Sequence, residues 1–430
     1  MRRLFVVTVL AVAAASPVSA LVTGTVVGPG ASAVPIAIVA PIDGGGAAEV
    51  AERFASVLAR DLDLSGLFAV VDPARHAERP PNVSLRADAT DFGAWAAAGA
   101  HVLVKSSATR AGDRVTLEVR SFDVGTGEAI VGGSRRFAGG VGETGRMAHR
   151  VADALLEYLT GVRGPFDSQI VFTSTRGGPL KDLYRFTFDA APHRMTREPS
   201  LALTPRWHPS GRRVLFTSYR RHVPGLFELQ LPAGRVRPLV AARVPLLGGA
   251  WSPDGAALAV AREQGGNTDL FLLDPNGKAI RRLTDHWSVD VSPSWAPDGR
   301  RLAFCSARSG SPQIYVMHAD GSGLRRVSFS GGYNTSPAWS PTGQHLAWAS
   351  RVGGMQSVVA DAEGRGARAV TRGVGNEDPA WGPGGRYLVY TAPGRGGRRL
   401  MLTDRDGRMH RELTVGPGSD TSPSWARWAD

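Results

Sequence analysis

The chain has 430 residues, with 50 Lys and Arg against 38 Asp and Glu, a formal net charge of +12 and a single cysteine, Cys305. A lone cysteine excludes an internal disulfide, and basic residues scattered as arginines, with no dense run and no interleaved aromatic face, argue against nucleic acid as a partner. After the first 20 residues no apolar run approaches the roughly 20 residues of a membrane helix, so direct membrane insertion is not expected.

The chain opens as an export signal over residues 1–20. Arg2 and Arg3 precede a 12-residue apolar stretch over residues 4–15, and Val18-Ser-Ala20 places small residues where a signal peptidase reads. Residues 21–33 follow as an extended segment. Leu21, Val22, Thr23, Val26 and Val27 make it apolar and β-branched, suited to adding as a strand to a partner's sheet edge.

Residues 34–161 read as a small α/β domain. Val34-Pro-Ile-Ala-Ile-Val39 is a buried strand, and residues 47–62 put Val50, Phe54, Val57, Leu58 and Leu62 on one helical face. Residues 67–71 form a second strand, 92–98 a short helix and 101–105 a third strand, while 114–120 alternate as a half-exposed strand does. Thr126-Gly127 leads into another strand, and Met147, Val151, Leu155 and Tyr158 share one face of a closing helix. Gly161-Val-Arg-Gly-Pro165 then supplies a helix stop and a rigid turn. The Gly44-Gly-Gly46 run lacks the Lys-Ser of a phosphate loop and reads as a flexible connection.

From residue 162 the texture changes to repeats. Trp207, Trp251, Trp295, Trp339, Trp381 and Trp425 recur at intervals of 44, 44, 44, 42 and 44 residues, a period of propeller blades. Five of them open Trp-x-Pro-x-Gly, as in Trp251-Ser-Pro-Asp-Gly255 and Trp295-Ala-Pro-Asp-Gly299. Short apolar runs bounded by such turns are strands, about four per unit. Gln169-Ile-Val-Phe-Thr-Ser174 matches a second strand with no first strand before it, and Asp420-Thr-Ser-Pro-Ser-Trp425 is a first strand with no blade after it. The expected architecture is therefore mixed: an α/β domain followed by an all-β six-bladed propeller over residues 162–430, whose C-terminal strand closes the first blade and removes its open edges. Cys305 falls where other blades carry small residues such as Thr173 and Ala349, which predicts a buried side chain.

An exported chain of this plan, joined through Leu159-Thr-Gly-Val-Arg-Gly-Pro-Phe166 and ending in Ser422-Pro-Ser-Trp425, resembles the periplasmic TolB family. The resemblance implies a monomeric, non-enzymatic scaffold of the Tol-Pal system, without a cofactor or metal, supporting outer-membrane integrity and constriction at cell division. It implies binding of the peptidoglycan-associated lipoprotein Pal through one face of the propeller, and of TolA through the segment with Leu21, Val22, Thr23, Val26 and Val27.

Blade symmetry suggests where a partner docks. Five and three residues before tryptophan stand Asp290 and Ser292, Asn334 and Ser336, Asn376 and Asp378, and Asp420 and Ser422, expected to gather at one mouth of the channel. Short polar side chains there receive a partner's loop or cap local turns, and the two roles are compatible. Blades with Ala202 and Leu246 at the outer of these positions break the ring, leaving an apolar arc of Leu246 and Leu247 that the resemblance also assigns to the lipoprotein site. The alternative is a propeller enzyme, a polysaccharide lyase or hydrolase-like protein acting in the periplasm. No Gly-x-Ser-x-Gly elbow is present, and the propeller histidines His193, His208, His222, His286, His318, His345 and His410 fall at unmatched phases of the repeat, so symmetry does not converge them.

Overall fold

The computed structural model describes residues 33–197, 199–220, 222–240 and 245–428. The signal, and the segment containing Leu21, Val22, Thr23, Val26 and Val27, lie outside them. Strand Val34–Ile38 lies between Phe68–Val70 and Val102–Ala111 and runs parallel to both, and Arg114–Asp123 and Arg135–Gly140 extend the sheet in antiparallel fashion. The two longer helices, α1 (Ala48–Leu64) and, after the short α2 (Phe92–Ala97), α3 (Thr144–Thr160), share one core with this sheet. Phe54, Leu58 and Leu62 of α1 meet Val151 and Leu155 of α3 there, the apolar stripe at helical spacing that drives both helices onto the sheet. Two strands run longer than the sequence suggests: the one expected at 101–105 reaches Ala111 and the one expected at 114–120 reaches Asp123, a hairpin turned by Gly112 at φ +62°. After Thr126-Gly127 the chain makes only an isolated bridge, Phe122 to Ala129, and the next strand waits until Arg135.

Six four-stranded antiparallel sheets follow, as blades 1 to 6 in chain order, each with its tryptophan strand innermost. Blade 1 is the closure: Asp420–Trp425 pairs with Ile170–Ser174, beside Asp182–Thr187 and Ala190–Arg194. The Trp-x-Pro-x-Gly motif makes the turn that follows the inner strand, with the Gly255 amide donating to the Ser252 carbonyl at 2.9 Å and φ at +71°, a backbone that demands glycine. Trp251, Trp339, Trp381 and Trp425 are buried, while Trp207 and Trp295 are half-buried. Their indoles also stitch neighbours together. The N–H of Trp207 donates to the Ser424 carbonyl (3.1 Å), that of Trp295 to Ala250 (2.9 Å) and that of Trp381 to Ala338 (3.0 Å), each one blade back.

The α/β domain is fused to blades 1 and 6 through the same apolar core, which runs from Ile36 and Phe54 through Phe166 and Phe188 to Tyr387 and Trp425. Polar contacts fix the angle: Tyr387 Oη donates to the Ser65 carbonyl at 2.9 Å, and Asp153 accepts the amides of Phe166 (2.8 Å) and Asp167 (3.0 Å) in the connecting segment. At the seam His149 of α3 lies 2.6 Å from Asp61 of α1 and 3.5 Å from Asp189, in the outer hairpin of blade 1. Asp189 also meets Arg53 at 3.4 Å. Burial by itself lowers the His149 pKa, but its hydrogen bonds to Asp189 and Asp61 and their charges outweigh that and raise it to about 9. The bond to His149 holds Asp189 well below the usual carboxylate range, whereas burial pushes Asp61 up to about 6.

Two outcomes are expected. Deleting residues 419–430 should lower the melting temperature by at least about 5 °C in circular dichroism, and an unchanged melt would contradict ring closure. A histidine pKa raised from 6.5 to about 9 stabilises the fold fully below pH 6.5 and is lost as pH rises through 9. The loss is on the order of 3 kcal/mol. Asp61 acts below that range, since its window closes by about pH 6. Melts recorded at pH 7 and 9.5 should fall steeply in wild type and much less in His149→Gln; parallel slopes would show that His149 does not clamp the domains.

Candidate partner-binding channel and rim

Each inner strand carries one extra residue, and this shapes the channel. In blade 4 the pairing runs Val291 to Cys305 and then Ser294 to Ala303, so Ser292 and Pro293 face the single residue Phe304. The same bulge falls at Thr204-Pro205, Ser336-Pro337, Asp378-Pro379 and Ser422-Pro423. Proline has no N–H to give the ladder, so the strand must buckle where it stands. Blade 3 tests this. There Gly249 replaces the proline and joins the ladder opposite Val260, and the bulge moves one residue back to Leu247-Gly248. The residue three before tryptophan adopts positive φ in every blade: Thr204, Ser292, Ser336, Asp378 and Ser422 at +48° to +55°, and Gly248 at +74°. For a non-glycine residue that backbone costs on the order of 1 to 3 kcal/mol, so five strained residues are held around one opening.

The two sets of residues expected at the mouth part company here. Ser292, Ser336, Asp378 and Ser422 are half-buried on the bulge, and Leu247 is exposed. Asp378 accepts from Ser336 Oγ at 3.0 Å and from Ser422 Oγ at 3.1 Å, tying blades 5, 6 and 1 together. By contrast Leu246, Asp290, Asn334, Asn376 and Asp420 are at most 2 % exposed, so the expectation that they present themselves at the rim is corrected. They begin the inner strand beneath the loops, and their polar groups are used internally. Asp420 accepts from Ser174 Oγ (2.6 Å) and Arg176 Nε (2.9 Å); Asp290 pairs with Arg308 (2.8 Å). Asn334 donates to Gln313 and accepts from the Trp348 indole (2.9 Å), and Asn376 donates to Gln356 (3.1 Å). Cys305 is buried, its thiol pushed up to about 12 by burial, and Sγ donates to the Asn334 carbonyl at 3.4 Å.

Around this mouth lie side chains that the repeat pattern did not reveal. Trp287 and Phe329 are 78 % and 72 % exposed, and Val289, Val374 and Val415 join them on the loops that enter the inner strands. In an antiparallel blade these loops sit at the opposite end from the turns that follow the inner strands, and the α/β domain contacts the turn end, at Asp189, Tyr387 and Met409. The rim is therefore the propeller face turned away from that domain. Arginines stack on its aromatics: Arg326 over Phe329 at 5.4 Å and Arg351 over Tyr333 at 4.8 Å. Trp287 lies out of phase with the six repeat tryptophans, and that offset was the available signal.

Below the mouth the channel holds an open cavity of about 240 Å³ that runs from Ser336 and Asp378 to the turn prolines Pro209, Pro253, Pro297, Pro341 and Pro383. Its wall at the residue before each tryptophan is Ala250, Ser294, Ala338, Ala380 and Ser424, with Arg206 in blade 2. Among the described residues no group of three or more His, Cys, Asp and Glu is placed to hold a metal ion, and no helix is long and apolar enough to cross a membrane.

Comparison with known proteins matches this architecture in both parts. Residues 23–130 match the TolB amino-terminal domain and residues 156–429 the TolB beta propeller domain. The Tol-Pal system protein TolB of Anaeromyxobacter dehalogenans (strain 2CP-C) is 35 % identical over 296 residues, covering 68 % of this chain and 67 % of its own. That of Desulfosudis oleivorans is 32 % identical over 240 residues, covering 56 % and 54 %. The crystal structure of TolB from Acinetobacter baumannii superposes with a TM-score of 0.79 over 92 % of this chain and 97 % of that one, at 22 % identity, which speaks for the fold. With both domain models matched and a relative aligned over two thirds of its length, the chain belongs to the TolB family.

Proposed function

We propose that this protein is a non-enzymatic periplasmic scaffold of the Tol-Pal system that binds the lipoprotein Pal at the propeller mouth and TolA through residues 21–33, supporting outer-membrane integrity and constriction during division. Membership of the family places the chain among Tol-Pal components. The observation that carries the finer reading is the distribution of exposed apolar surface. Trp287, Phe329, Val374 and Val415 stand on the entry loops of blades 4, 5, 6 and 1, on the face that the α/β domain leaves free, where large apolar side chains cost solvation unless a partner covers them. Leu247, Ser292, Ser336, Asp378 and Ser422 form the floor inside that rim and would contact whatever enters. Loss of entropy on docking stays small, because the bulges fix the floor before a partner arrives.

Residues 21–33 would act separately, as an edge strand added to a sheet of TolA. If lipoprotein binding changes how that segment docks, the two sites are coupled by a differential affinity. Equal TolA affinity with and without bound lipoprotein would remove the coupling.

The mature chain should bind the soluble domain of the cognate lipoprotein in titration calorimetry. Trp287→Ala together with Phe329→Ala should weaken that binding at least about tenfold, in keeping with aromatic anchors near an interface centre, with the melting temperature unchanged because both side chains are exposed. Undiminished affinity in the double variant would place the partner elsewhere.

A further inference from the structure

Among the six channel residues that precede the tryptophans, five are Ala or Ser and one, Arg206, is a cation. Its guanidinium offers five N–H donors. Among the described residues its one hydrogen bond is from Nη1 to the adjoining Pro205 carbonyl, at 2.9 Å, and no direct ion pair joins it to an acid. Burial in the channel wall lowers its pKa, and the charge of Asp378 offsets part of that, yet Asp378 is itself engaged by Ser336 and Ser422. A half-buried arginine whose remaining donors face a cavity of about 240 Å³ is a fork without its acceptor.

We propose that the channel is a carboxylate-receiving site, in which Arg206 takes the acidic side chain of a partner's loop inserted through the bulge mouth. A planar carboxylate matches the guanidinium fork in two parallel hydrogen bonds, and a carboxylate brings one negative charge to the point of contact beside Asp378, where a phosphate monoester concentrates more. The bulges hold Asp378 at the mouth, so a donor on the inserted loop meets it before the carboxylate reaches the arginine in the wall below. The protein-loop half of this proposal rests on the lipoprotein reading above; the carboxylate half does not.

The two halves are tested separately on the full mature chain. Tryptophan fluorescence reports on the channel, because Trp207 adjoins Arg206 and tryptophans line the wall. At constant ionic strength, succinate should change the emission saturably, with its neutral isostere succinamide ineffective. Arg206→Ala should abolish the response and Arg206→Lys should weaken it. Arg206→Ser is the second variant; Ala and Ser already stand at this position in the other blades, so both are compatible with the fold. Equal responses to succinate and succinamide, or an undiminished response in Arg206→Ala, overturn the site. For the loop, calorimetry against the soluble lipoprotein domain should show Arg206→Ala weaker by about tenfold or more. Unchanged affinity, with the succinate response intact in wild type, overturns the claim that a protein supplies the carboxylate and assigns the site to a free anion. A wild-type chain that takes succinate but not the lipoprotein sinks the partner reading and leaves the site standing.

Discussion

The propeller depends on one strand pairing between its two chain ends. Asp420–Trp425 lies antiparallel to Ile170–Ser174, almost the whole propeller sequence away, and the pairing is locked by buried polar groups as well as by the ladder. Ser174, at the end of the first strand of the propeller, and Arg176, in the turn after it, both donate to Asp420. A carboxylate with essentially no exposure is tolerable only when fully bonded, so the contact that closes the ring also satisfies the charge that sits there. Without that strand blade 1 would expose an edge, and blade 2 would lose the Ser424 carbonyl that accepts the Trp207 indole N–H.

Closure also explains why the α/β domain is not a loosely tethered module. Its helices share an apolar core with blades 1 and 6, on either side of the closing strand, and Trp425 at the end of that strand belongs to the same core. The His149, Asp61 and Asp189 cluster sits over this seam. A protonated imidazole between two carboxylates makes the interdomain angle depend on charge, as does Asp153, whose carboxyl burial pushes up to about 7, while Tyr387 holds the seam through a hydroxyl that burial keeps protonated far above neutrality. The propeller face that remains, turned away from the seam, is where the exposed aromatics and the channel mouth lie.

Departures from symmetry concentrate around the channel, and each has a local cause. Blade 3 lacks the bulge proline, so its kink shifts and Leu247 comes to the surface. Blade 6 places Asp378 where four other blades have Ser or Thr and blade 3 has Gly248, which lets one side chain bind two neighbours. Blade 2 replaces a small wall residue by Arg206. Repetition builds the ring, and these three substitutions make its axis chemically one-sided.

Much of this was legible in the residues themselves. The tryptophan spacing, the Trp-x-Pro-x-Gly turns and the half-blades at each end determine the number of blades and their closure, because a unit of constant length that cannot bury its faces alone must stack on copies of itself. What the chain could not show was which polar residue of each pair faces the channel. Positions five and three before tryptophan look alike in sequence, but the proline at two before sets where the bulge falls, and the bulge leaves Ser292, Ser336, Asp378 and Ser422 half-buried at the mouth while Asp290, Asn334, Asn376 and Asp420 go under the loops. That separation depends on ladder register between strands, as does the placing of Asp378 where its charge acts on Arg206, across blades far apart in the chain. Local pattern therefore determined the ring, and only the three-dimensional pairing of its strands decided what the ring presents at its centre.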